Sequence, residues 1–351
     1  MRTFFTLDRI SSGTIRRIAA ATLLATLASR PMAVIAHGVD GHMHDHEALA
    51  SGVAQFPPSP DVPTLFGKEL ELPDTLGVGR VAKDVAEHLP EIEPLAAWLA
   101  DRTGDLGLAR ARPVIARDNA QMIDFLRRGI VDVVSESPIS ALQLAEGSGA
   151  SILLLERSDG RVNDASLLLV NCEGPITSLS ELAGKRVVFE DPASTIGFAL
   201  PLAAIRSAGL RAVELAHPMD EPPTDGIGYF FSNSEYSIVS AVARGLADAG
   251  AVSDQDWRRI EARDGRLVRE LTPIWESRKV PRFVVLLGPT MTARQREGIR
   301  DLLLHAADDG PGRAVLQKYH DVDRFDAVDA GFETEIGELR AMYPSVRDEV
   351  R

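Results

Sequence analysis

The feature that most narrows the folds open to this chain is an alternation of short apolar, β-branched runs with amphipathic helical stretches of about ten residues. Strands are expected at 76–82, 113–116, 130–134, 151–155 and 165–171, and again at 187–189, 211–215, 227–231 and 246–252. Between them, Ile92, Leu95, Ala96 and Leu99 share one helix face, and the run NAQMIDFLRR at 119–128 reads as a helix ended by Gly129. A strand, a helix and a further strand form a parallel pair through a crossover, so the expected class is α/β. Sheets of this kind bind ligands at the carboxyl ends of their strands. Lys83-Asp84 lies at one such end, and the loop Ser135-Glu136-Ser137-Pro138 lies at another. The runs 267–271 and 283–287 carry the chain back, and 292–351 is expected to be helical and charged.

The stretch LAGKRVVFEDPASTIGFALPLAAIRSAGL, residues 182–210, reads as strand, loop and helix. Asp191-Pro192 breaks the strand, and Ser194 and Thr195 stand where a helix is capped, ahead of Ile196, Ala199, Leu200, Ala203 and Ala204. Unpaired backbone N–H groups and the positive end of the helix dipole let such a terminus hold an anion without a lysine. A plain capping role for either hydroxyl accounts for the same local sequence.

With 351 residues, 45% hydrophobic and 25% charged, the chain has room for two domains with substantial cores. Its net charge of -13 argues against a nucleic-acid or anionic-membrane partner, so any anion must be held by a local site. Residues 1–36 read as a cleaved export signal. Arg9, Arg16 and Arg17 are its basic region, 18–27 its apolar region, and Val34-Ile35-Ala36 its cleavage site. The pair Arg16-Arg17 leaves Sec and twin-arginine routes both open. A single cysteine, Cys172, excludes an intramolecular disulfide, and the expected location is a bacterial-type periplasm. Four of the eight histidines, His37, His42, His44 and His46, fall within 37–47 beside Asp45 and Glu47, a tract able to chelate a divalent metal. A solvated tail is the other reading, and no cofactor is expected elsewhere. Pro57, Pro58, Pro60, Pro63 and Pro73 mark a linker that runs to 75.

Two segments, PITSLSELAGKRVVFEDPASTIGFALPLAAIRSAGL at 175–210 and FSNSEYSIVSAVARGLADAGA at 231–251, resemble the phosphate, phosphite and phosphonate substrate-binding proteins of bacterial ABC importers, the PhnD-like family. The resemblance covers roughly 76–324. It implies a two-lobed type II periplasmic binding protein with a two-strand hinge and a ligand cleft between the lobes. By that resemblance 76–168 begins lobe 1, 169–280 is lobe 2, and 281–351 completes lobe 1 with C-terminal helices; the crossings fall near 167–170 and 281–287. The loop Ser194-Thr195-Ile196-Gly197 matches the family's oxyanion loop, with Ile196 in place of a serine. Glu235-Tyr236 replaces a His-Asp pair, and Glu136 adds a carboxylate where the family offers backbone and an aromatic ring. Lys83, Glu136, Ser137, Glu235, Tyr236 and Asp254 complete the expected ligand-binding set.

The implied function is capture of a small phosphonate- or phosphate-like oxyanion by a monomer that delivers it to a membrane permease and ATPase. The alternative is a periplasmic accessory that presents an oxyanion or metal to a membrane histidine kinase. Catalysis is not expected, since the sequence holds neither GxxxxGK[ST] nor HExxH.

Overall fold

The computed structural model describes residues 74–83, 85–232, 234–319 and 321–350. The expected signal segment, the four histidines at 37–46 and all but the last two residues of the expected linker lie outside these residues. Two six-stranded sheets carry the fold. The first runs in the order β14 (Val322–Ala327), β4 (Ser151–Ser158), β13 (Val284–Leu287), β3 (Val133–Glu136), β1 (Thr75–Val81), β2 (Arg110–Ala116). The second runs β11 (Leu271–Glu276), β6 (Ser166–Asn171), β10 (Ala249–Ser253), β7 (Lys185–Phe189), β9 (Gly226–Phe231), β8 (Arg211–Glu214).

Strands β2, β1 and β3 are parallel, as are β10, β7, β9 and β8. Antiparallel partners enter where the chain arrives from the other sheet. Strand β13 runs against β3 and β4, and β6 runs against β10. The chain crosses between the sheets through a two-stranded ribbon, β5 (Asn163–Asp164) outward and β12 (Val280–Pro281) on the return. The first crossing therefore precedes the position expected near 167–170. Leu167, Leu168, Leu169 and Val170 are buried and pair with both β10 and β11. An apolar run of this kind belongs inside a sheet, and the polar Asn163-Asp164 makes the passage.

Three apolar clusters hold the layers together. Ile92, Leu95 and Leu99 of the helix Val85–Ala100 pack with Leu76, Val78, Ile299 and Leu316 against the first sheet. Ile238, Val239, Val242 and Ile260 cover one face of the second. The third cluster spans both sheets, joining Ile139, Leu142, Phe189, Phe198 and Leu202 with Phe332, Ile336, Leu339 and Val346 from the C-terminal segment. That segment also touches both crossings: Asn163 Nδ2 donates to Glu335 Oε1 at 3.0 Å, and Arg278 pairs with Glu338. Arg206, on the second-sheet helix Leu200–Ser207, pairs with Glu349.

The helix Val85–Ala100 runs through Pro90 and Pro94, its buried face outweighing two lost backbone donors. Local expectations shift in three places. Residues 265–268 form a short helix, and the strand follows at β11. The third strand begins at Val133, not Ile130, so Glu136 belongs to the strand and not to the loop after it. The expected helical C-terminus contains β14, whose Val322 and Phe325 are buried against the first sheet.

Candidate functional site

The carboxyl ends of β1, β3, β7 and β10 converge on one cavity of about 290 Å³. Residues 80–83 and 135–137 line it from the first sheet, and Glu190, Asp191, 193–196, Ser253 and Asp256 from the second. His88 and Arg117 sit on the first-sheet side, and Arg282 and Phe283 close the hinge side.

Ser194 caps the helix after β7, accepting the Gly197 N–H at 2.8 Å on its Oγ and donating its own proton to Glu190 Oε2 at 2.8 Å. The first turn is wide. The Ala199 N–H reaches back five residues to the Ser194 carbonyl at 3.0 Å, giving a π-type turn over Thr195–Ala199 before the α-helix begins. Thr195 is fully buried and turned toward the other sheet, where its Oγ1 accepts the Ile139 N–H at 2.8 Å and donates to Ser137 Oγ at 3.0 Å. Ser137 Oγ in turn donates to the Ala193 carbonyl at 2.5 Å. The two hydroxyls thus join one wall to the other. Ile196 is buried on the wall, and Gly197 packs so close that a Cβ there would lie 2.2 Å from Glu190 Oε2.

Glu136 is buried, its Oε1 accepting the Val81 N–H at 3.1 Å and its Oε2 accepting from Ser140 Oγ at 3.3 Å. Burial pushes its pKa up to about 7 against the pull of these donors and of Arg80. Lys83 is exposed at the cavity rim.

The remaining expected residues take other positions. Glu235 opens the helix Glu235–Ala243 without lining the cavity, and the cap of that helix is Ser234. Tyr236 is 39% exposed, and its hydroxyl donates to Asp264 Oδ2 at 3.1 Å. Asp254 faces the crossing, where it accepts the Ala165 N–H at 2.9 Å and pairs with Arg258 at 2.9 Å. Cys172 is exposed and outside the cavity lining.

Sequence reasoning missed Arg80, His88, Arg117 and Phe283 in the lining, and with them a charged group of Arg282, Asp256 and Glu190. Arg282 pairs with Asp256 at 2.9 Å and Asp164 at 3.2 Å, and donates to Ser253 Oγ at 3.1 Å and Gln255 Oε1 at 3.2 Å. Burial opposes its charge, but Asp256, Glu190 and Asp164 outweigh it and hold the guanidinium protonated. Asp256 also accepts from Ser253 Oγ at 2.5 Å. Glu190, directly after β7, is held above the usual carboxylate range by burial and by Glu235. Its position at a strand's carboxyl end was a usable signal; Arg282 had none, because its partners come from distant segments.

Two α/β lobes enclosing a cavity at their strand ends, joined by a two-strand ribbon, define a type II periplasmic binding protein. The profile of the ABC transporter phosphonate periplasmic substrate-binding proteins matches residues 83–331, and the chain belongs to that family, whose members bind solute for transport and are not enzymes. The chain is 23% identical over 249 residues to the phosphonates-binding periplasmic protein of Escherichia coli, covering 69% of each. It is 26% identical over 188 residues to the phosphate-import protein PhnD of Mycolicibacterium smegmatis, 52% of this chain and 56% of that one. Among solved structures, a Xanthomonas citri protein bound to chloride ion superposes with a TM-score of 0.74 at 29% identity, covering 79% of this chain and 100% of that one. A Prochlorococcus marinus protein in complex with methylphosphonate shares the fold, with a TM-score of 0.60 at 16% identity, covering 79% of this chain and 99% of that one.

Proposed function

We propose that this protein captures a small phosphonate- or phosphate-like oxyanion between its lobes and hands it to the permease and ATPase of an importer. The observation that carries the reading is the cavity itself, closed between strand ends of both sheets and lined by Arg80, Lys83, Arg117 and Arg282. The ribbon of β5 and β12 is the line about which the lobes part, with the hydroxyl contacts of Thr195 and Ser137 broken on opening. The chloride held by the Xanthomonas citri protein supports an anionic ligand, and the name of the Mycolicibacterium smegmatis relative, a phosphate-import protein, supports import over presentation to a kinase.

A thermal melt against methylphosphonate, phosphate, phosphite and methanesulfonate tests this. A ligand at a hundredfold excess over Kd adds about 2.7 kcal/mol of stability, well within reach of a melt. The expected result is a shift with a phosphorus oxyanion that disappears when Ala82→Trp fills the cavity. No shift with any of the four, or a shift that survives Ala82→Trp, sinks the reading.

A further inference from the structure

We infer that His88 makes the site select oxyanions that carry a dissociable proton, phosphonates and phosphates, over sulfonates of the same shape, by presenting a bare ring nitrogen to the bound anion. The inference rests on the reading of the cavity as an oxyanion site.

His88 belongs to the helix Val85–Ala100 and is the single histidine of the cavity lining. Its Nδ1 stands 3.1 Å from Glu91 Oε2, three residues further along the same helix. The same oxygen accepts from Arg80 Nη1 at 3.1 Å, and Arg80 lines the cavity beside His88. A carboxylate between a guanidinium and an imidazole accepts from both, so the proton of the imidazole contact sits on Nδ1. In a neutral ring the other nitrogen is then bare. Nε2 has no hydrogen-bond partner among the described residues, and with Nδ1 committed to Glu91 it is the nitrogen left for a ligand.

A phosphonate or phosphate monoanion brings the missing proton on its own P–OH. That hydroxyl donates to Nε2 while the charged oxygens meet the cations of the wall, Arg80, Lys83, Arg117 and Arg282. A sulfonate has the same tetrahedral outline and one charge but no proton near neutral pH. Its oxygen meets the Nε2 lone pair with nothing between them, and both acceptors are shut away from water.

The carboxyls of the wall are poorer acceptors for the same P–OH. Both oxygens of Glu136 are taken by Val81 and Ser140, Asp256 is held by Arg282 and Ser253, and Glu190 accepts from Ser194. Each of them, when ionised, also repels the anion, and a neutral imidazole does not. Asp191, whose Oδ1 accepts the Ala193 N–H at 2.8 Å, is the rival acceptor.

Calorimetric titration of the full chain with methylphosphonate and with methanesulfonate near neutral pH reads the selection. The expected preference for methylphosphonate is at least about a hundredfold in Kd, since a site with a matched hydrogen bond rejects the analogue that lacks it. In His88→Leu, which offers neither lone pair nor proton, the preference is expected to fall below about tenfold. Glu91→Gln, outside the cavity lining, lets either ring nitrogen carry the proton and is expected to narrow the preference by admitting methanesulfonate. Nitrogen NMR of the histidine rings gives a second reading. The Nε2 signal that His88→Leu removes is expected to move toward that of a protonated nitrogen when methylphosphonate is added, with Nδ1 unmoved. A natural protein without the preference, a preference kept in both variants or lost only in Asp191→Asn, or an Nε2 signal unmoved by ligand overturns this inference and leaves the oxyanion reading standing. Binding of neither anion overturns both.

Discussion

Thr195 and Ser137 meet across the cleft, Oγ1 to Oγ at 3.0 Å, and the same Thr195 oxygen accepts the Ile139 N–H at the start of the helix Pro138–Ser148. A hydroxyl placed to offer its proton to a ligand is here committed to the opposite lobe. The loop that resembles an oxyanion loop therefore works as a clasp at this residue.

Replacing Thr195 with valine keeps the shape and removes the clasp. The Ile139 N–H is left buried without that acceptor, a loss of about 1–3 kcal/mol. The expected result is a lower urea midpoint and a ligand affinity reduced by at least tenfold, since closure loses its cross-lobe bond. Unchanged stability and affinity in Thr195→Val would show that the clasp contributes nothing.

Gly197 is held to glycine by close approach. A Cβ there would lie 2.2 Å from Glu190 Oε2 and 2.6 Å from Glu190 Cβ, and the second atom is too near the backbone to swing away. Gly197→Ala is expected to displace Glu190 from the wall at a cost of about 1–3 kcal/mol, the usual range for overpacking. A crystal structure of the variant with Glu190 unmoved, or a melt within a degree of the parent, would contradict this.

Glu136 makes stability depend on pH. Its carboxyl keeps its proton up to about pH 7 in the folded chain, against a reference value of 4.5. Between those values the unfolded chain ionises first, so stability falls as pH rises through this window and is level above it. The loss above neutral is about 3 kcal/mol. Glu136→Gln cannot ionise and is expected to melt higher than the natural protein at pH 8, with the two converging near pH 4. Equal melting temperatures at pH 8 would refute the assignment.

Arg282 neutralises the acids around the hinge. Asp164 and Asp256, whose side chains are 2% and 11% exposed, both lean on it. Arg282→Gln leaves those buried carboxylates only their longer pairs, Asp164 with Arg161 and Asp256 with Arg259, each at 3.8 Å, and is expected to cost about 3–5 kcal/mol, read from denaturant unfolding. A cost under about 1 kcal/mol, the worth of an exposed pair, would mean that water already screens the site.

By itself the sequence determined the α/β class and much of the frame of the site. Period-2 and period-3.6 apolar patterns are local, so β1, β6, β7 and β9 fall within a residue or so of their expected places. Ser137, Ser194, Thr195, Ile196 and Lys83 line the cavity because each follows a strand whose carboxyl end could be read. The strand β14 was hidden because an edge strand buried on one face shows only Val322 and Phe325, a spacing that a helix shares.

Tertiary structure decided what each side chain does there. Ser194 and Thr195 are adjacent and chemically alike, yet one caps its own helix and the other reaches across the cleft. That division depends on where the Pro138–Ser148 helix begins, not on either residue. Tyr236 turns to Asp264, Asp254 to the crossing, and Arg282 gathers carboxylates from segments 118 and 26 residues away in the chain. Pairings of this range are set by how two sheets fold back on one ribbon, and no local pattern encodes them.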